Sequence, residues 1–197
     1  WYVGTFDFNA GAKGAYVGTA STNNTYTNSA ASVVMFYRDV TFPAGETNIT
    51  LSFKWKGDGE SCCDRLRVFL VPTSTTLTAG TELSSGQIGV DYNLQTTWQT
   101  ATIIIPSSNA GTSQRLVFSW RNDGSVGNSP SAAVDVISLT SAPCNAQSIP
   151  YSESFESITT ANTLQSCMAS TNLTSNTYTG ISSQSYYRAA RTGSDYA

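Results

Sequence analysis

"ITLSFKWKG" (residues 49–57) alternates apolar and polar side chains without a break. Ile49, Leu51, Phe53 and Trp55 fall on one side of an extended chain, and Thr50, Ser52, Lys54 and Lys56 on the other. A period of two belongs to a strand with one face buried and one in water; no helix keeps it. The pattern returns in "RLVFSWRND" (115–123), where Leu116, Phe118 and Trp120 oppose Arg115, Ser119 and Arg121. Further strand-sized runs are "SVVMFYRDVTF" (32–42), "LRVFLVP" (66–72), "WQTATIIIP" (98–106) and "AAVDVISLT" (132–140). Turn residues lie between them, and no segment holds a 3.6-residue period for long. The expected fold is all-β, two antiparallel sheets packed face to face over residues 1–141. Its expected core contains Leu51, Phe53, Trp55, Val68, Leu70, Phe118 and Trp120.

The 197 residues are enough for one large β domain, or one domain and part of another. Only 12% of them are charged, about half the usual share, and Ser, Thr, Asn and Gly fill the difference. The net charge of -3 and pI near 4.8 leave no basic stripe for phosphates, which excludes nucleic acid as a partner. Apolar runs are strand-sized, too short to span a membrane, so no membrane insertion is expected. The absence of any His removes the usual general base and most zinc sites, and leaves an enzyme only carboxylates. A non-catalytic protein is therefore expected. The chain opens on Trp1 with no signal peptide, as expected of a processed or partial chain. A break falls near residue 141: residues 142–150 read as a linker, and 151–197 as the start of a second, incomplete module.

Three ordered stretches carry a resemblance: "SFKWKGDGESCCDRLRVFLVP" (52–72), "TWQT" (97–100) and "LVFSWRNDGSVGNSPSAAVDVISL" (116–139). Together they make residues 1–141 similar to the jelly-roll modules of Bacteroidetes surface and secreted proteins. These are the choice-of-anchor and cleaved-adhesin families, distant relatives of the MAM sandwich. Val136 stands where that family commonly has Asn. "IPYSESFES" (149–157) with Cys167 resembles a fresh module start, Met168 standing in place of the family's Trp. The resemblance implies a secreted or cell-surface location, export by type IX secretion, and adhesion or display. Its partners would be neighbouring modules or other copies, and surface glycans. It also implies an opening strand ahead of Trp1, whose place is filled either by upstream chain or by a segment donated from another copy. Cys144 and Cys167 flank the new module start, and a disulfide between them is expected in an exported protein.

Asp135 sits among apolar neighbours, sharing a face with Ala133, Ile137 and Leu139, while Val134 and Val136 face away. Such a carboxylate must be ionised and paired, metal-bound, or neutral through a raised pKa; a hard cation such as Ca²⁺ is one solution, and bonds to loop amides are the alternative. In related jelly rolls a Glu of the first strand joins the Asp of the last at such an ion; Glu156 is the matching residue of the second module. "GDGESCCD" (57–64) lacks the spacing of a calcium loop, and as a glycosidase pair its acids would need a second carboxylate and a cleft. It reads as the turn entering a strand, with Asp64 pairing Arg65, Arg67 or a loop amide. For Cys62 and Cys63, a vicinal disulfide, free thiols and an external partner all remain open. Tyr16, Tyr26, Tyr37, Tyr92 and Trp98 are either packed in the sheets or a sugar-stacking platform, with Tyr92 and Trp98 the candidate carbohydrate pair. Two functions are compatible with these features: a structural and adhesive repeat, with a filament as one form, or a carbohydrate-binding module of a secreted hydrolase.

Overall fold

A computed structural model describes residues 1–143, together with 149, 150 and 152. The chain divides into two units, Trp1–Ala142 and Pro143–Ala197, and the first of them holds the sandwich. Nine strands run in order: β1 (Tyr2–Gly4), β2 (Gly14–Tyr16), β3 (Ser32–Thr41), β4 (Glu46–Gly57), β5 (Arg65–Pro72), β6 (Gln87–Tyr92), β7 (Gln95–Ile105), β8 (Ser113–Asn122) and β9 (Ala133–Pro143). A 3₁₀ turn at Ser107–Asn109 is the only helical element among the described residues. One sheet has the order β1-β2-β9-β4-β7 and the other β3-β8-β5-β6. Strands pair antiparallel in both sheets, as the alternating sequence requires.

The core lies between the two sheets. Ile49, Leu51, Phe53 and Trp55 of β4 turn inward beside Ala101, Ile103 and Ile105 of β7. Leu116, Phe118 and Trp120 of β8 face them, flanked by Leu66 and Val68 of β5. Phe118 joins the layers: it stacks flat on Phe36 at 4.9 Å and meets Phe53 edge-on at 5.2 Å. Such geometries add about 0.5–1.5 kcal/mol per pair beyond burial. The expected core residues take these positions, with Leu70 only partly buried at its margin.

Strand β5 is buried on both faces, which alternation did not anticipate. Phe69 and Val71, on its outer side, form a second cluster with Val117 of β8. The segment between Pro72 and Gln87 crosses this face as a strap and lays Leu77 and Leu83 against the cluster. Gly80 N–H donates to Val33 O (3.2 Å), and Arg115 Nη1 donates to Thr75 O (3.0 Å). Glu82 anchors the strap among arginines, its Oε2 lying 3.3 Å from both Arg65 and Arg67 and 3.8 Å from Arg121.

Strand β9 departs from the expected alternation. Val136 takes φ +49°, a left-handed turn for a β-branched residue, and this kink resets the face of everything after it. Val134, before the kink, is buried in the core, and Leu139, after it, packs against the same cluster. The assignment of Val134 to the face opposite Leu139 is corrected accordingly.

The strap makes Phe69 a core residue. Phe69→Ala is expected to cost about 3–5 kcal/mol in urea unfolding, as much as Phe118→Ala. A sandwich whose outer face lay open to water would lose little at Phe69.

Candidate functional site

A polar cleft of about 430 Å³ opens where the β1–β2 loop, residues 23–25, the end of β4 and Ser129–Pro130 converge. Phe6 lies on its wall with 53% of its surface exposed, backed by the Tyr16 ring at 5.9 Å. Asp7 is buried beneath it and bonds Lys56 Nζ at 2.8 Å. Asn24 Nδ2 donates to the second Asp7 oxygen, and Ser131 Oγ donates to Asn24 Oδ1 at 2.6 Å. A buried charge is tolerated only when paired and hydrogen-bonded in this way. Asn23 Oδ1 accepts from Thr19 N–H (3.0 Å), which shapes the loop on the other wall. Lys56 Nζ also stands 5.4 Å over the Trp98 ring. One lysine therefore joins Trp98 to the buried Asp7. The arrangement offers an aromatic wall and several fixed polar groups, suited to holding a polyhydroxylated molecule.

Of the expected carbohydrate pair, the structure puts only Trp98 near this cleft, half-buried on the outer side of β7. Tyr92 is corrected: it is 5% exposed and packs edge-on against Phe53 (5.4 Å) and Trp55 (5.0 Å). It pairs with Leu66, an inward residue, so its ring is committed to the core. Tyr16 is fully buried. Tyr37, on β3 and not among the residues that line the cleft, stays 52% exposed beside Arg115, whose guanidinium carbon lies 4.3 Å from the ring centre. Phe6 escaped sequence reading because it lies in an irregular loop with no periodic signal to mark it.

Asp135 is held by loop amides. Its Oδ2 accepts from Asn9 N–H (2.7 Å) and Ala10 N–H (2.9 Å), and Oδ1 from Val136 N–H (2.7 Å). Partial burial pushes the carboxyl up, but the three amides together hold it below the usual carboxylate range. The three N–H dipoles stabilise the carboxylate, the loop-amide alternative of the two expected for it. Glu156, Cys144 and Cys167 lie outside the described residues.

The acidic turn is structural in its contacts. Asp64 is fully buried and accepts from Tyr26 Oη–H (2.6 Å) and from Asp123 N–H (3.0 Å), the loop-amide option among those expected. Arg65 and Arg67 turn outward to Glu82 and Asp91 instead; Arg65 Nε lies 3.0 Å from Asp91 Oδ2 without hydrogen-bond geometry. Cys62 and Cys63 are joined as a vicinal disulfide. Arg65 Nη1 clasps the turn by donating to Cys62 O (2.9 Å) and Cys63 O (3.0 Å). Gly127, at φ +137°, lets backbone pass where a Cβ would collide with the Tyr26 hydroxyl and the Asp64 carboxylate. Carboxylate oxygens of Glu60, Asp64 and Asp123 come within 4.8 Å of one another. Burial first, then Asp123 and Asp64, raises the Glu60 carboxyl above its ordinary value.

Neither known protein families nor curated proteins provide a match to this chain.

A raised carboxyl pKa means that the folded state binds the Glu60 proton more tightly than the unfolded state. The resulting penalty is absent well below the ordinary Glu value of about 4.3 and grows as pH rises above it. E60Q is therefore expected to melt above the wild type at pH 7, the gap closing below about pH 4. Thermal scans across that range check it.

Proposed function

We propose that this chain is a non-catalytic structural and adhesive jelly-roll module of a large secreted or cell-surface protein. The cleft carries the reading. Its buried acid, Asp7, is already engaged by Lys56 and Asn24, which supports a role in holding the cleft's walls rather than in chemistry on a ligand. The strand orders β2-β9-β4-β7 and β3-β8-β5-β6 support the jelly-roll class. About half of the charges among the described residues are held in ion pairs, as in Asp39 with Arg115 and Asp91 with Arg67. This leaves a polar, weakly ionic surface suited to contact with neighbouring modules and glycans.

A second reading, a carbohydrate-binding module of a secreted hydrolase, is favoured by Phe6 and Trp98 near the same cleft. Both readings place a neutral glycan there, because aromatic faces bind the apolar side of a sugar while Asn and Lys meet its hydroxyls. Calorimetric titration with neutral oligosaccharides is expected to show binding without release of new reducing ends. Phe6→Ala and Trp98→Ala should each weaken it by about 1 kcal/mol, roughly five-fold in Kd, with little change in melting temperature. Cleavage of the glycan overturns the non-catalytic reading. Binding that is indifferent to both substitutions removes the cleft from it.

A further inference from the structure

Along β9 the backbone loses a neighbour. Ala133 and Val134 pair with β2, and the chain then turns at Val136. From Ile137 to Pro143, no described strand lies on the side of β9 away from β4. No described strand takes up the N–H and C=O groups on that side, and a row of such groups is a template for another strand. Protected edges carry Lys, an early Pro or a bulge. This one reads "ISLTSAP" (137–143), with no charge and no Pro before its last residue.

Beside this edge a groove of about 400 Å³ opens into the space between the sheets. Leu116 and Phe118, otherwise core residues, line it together with Phe36, Val40, Ile137 and Leu139. Ile137 remains 44% exposed at its mouth. Arg38 also lines the groove, and no described carboxylate pairs with it.

These features specify an occupant. An edge of seven residues that no described strand covers, about 23 Å long, calls for an extended peptide rather than a helix or a small molecule. The groove calls for large apolar side chains at alternate positions, and Arg38 for an acid among them. The chain contains such a segment, "IPYSESFES" (149–157). Ile149, Tyr151 and Phe155 share one parity, Glu153 and Glu156 supply negative charge, and no Lys or Arg occurs between residues 144 and 187. Ile149 is 91% exposed, a large apolar residue in open water.

We propose that the β9 edge receives residues 149–157 of a second copy, which add a strand to the sheet and close the groove. Each copy carries one acceptor edge and one donor segment. The contact is therefore head-to-tail, and repeating it builds a filament rather than a closed dimer. Strand donation rests on the structural half of the function proposed above and is independent of its glycan half. Failure of the glycan titration leaves it standing, and the reverse holds too.

Sedimentation velocity on the full 197-residue chain tests it. Oligomers are expected to grow with concentration. Arg38→Glu and Ile137→Lys, both at exposed positions, should each weaken association about ten-fold or more, with the circular dichroism spectrum unchanged. Mixing R38E with E153R or E156R should restore growth by reversing the charge pair. An excess of synthetic peptide 148–157 should cap the chains and return them to monomers. A monomer at every concentration overturns the proposal, whether its groove is empty or filled by its own polypeptide. Association indifferent to R38E, I137K and the peptide, or restored by neither charge reversal, overturns it as well.

Discussion

A carboxylate cut off from water holds the loops of this sandwich to its strands. Asp64 is fully buried at the entrance to β5, and its cationic neighbour, Arg65, faces the other way. Its charge is stabilised by hydrogen bonds from Tyr26 and from the Asp123 amide, groups 38 and 59 residues away in sequence. Burial, and then Asp64 itself, pushes the Tyr26 hydroxyl far above its ordinary value, so it stays protonated and keeps donating. Leaving any of these groups unpaired costs about 1–3 kcal/mol, and more for the charge. Two bonds thereby fix the loop before β3 and the connection from β8 to β9. The second of these connections carries Ser129, Pro130 and Ser131 to the cleft, so the cleft's shape depends on a carboxylate that does not line it.

The two sides of β5 show why the outer face of one sheet is closed. Three arginines, Arg65, Arg67 and Arg121, converge on Glu82, and Asp91 balances two of them. Burial still pushes the Arg65 guanidinium below its ordinary value, and Glu82 and Asp91 offset that only in part; what the strap gains in return is an apolar cover over Phe69 and Val71. Nothing comparable among the described residues covers the β9 edge. Trp1 guards only the neighbouring part of β3, donating its indole N–H to Val34 O at 3.0 Å and meeting Phe36 edge-on.

Alternation made β4 legible because that strand has one wet and one dry side, and a period of two then fixes every residue's direction. In β8 it found the inner face but not the burial of Val117 and Ser119 behind it. It misjudged β5, where a strap with only two leucines makes the second face dry through contacts far away in sequence. Tyr92 was misplaced because its parity depends on an irregular register between β5 and β6, at Leu66 and Val68, which no local pattern reveals. The left-handed Val136 was equally hidden, since β-branched residues seldom adopt it, and it brought Leu139 to the side of the core that Val134 occupies. The turn at Asp64 was legible as a turn. Its partners were not, because a tyrosine 38 residues upstream is joined to it only by the fold. Phe6 had no signal at all: the aromatic residue best placed at the cleft sits in a loop whose sequence could have packed anywhere.

The cleft and the groove share no lining residue. Each is served by a different part of the same two sheets, the cleft by connecting loops and the groove by an edge. A ligand held against Phe6 and Lys56 therefore does not compete for atoms with a strand held against Ile137 and Leu139. Separation of this kind is what a repeating adhesive requires, since assembly through one site must leave the other available on every copy. The physical natures of the sites also differ. The cleft's polar groups are held by one another, as Asp7 is by Lys56 and Asn24, while an added strand would satisfy a row of backbone bonds and bury apolar surface at once. Weak, renewable contacts displayed on a firmly joined array gain strength by number, because each further contact is made at the high local concentration set by its neighbours. A single module with a low-affinity cleft would adhere poorly; a row of them would not.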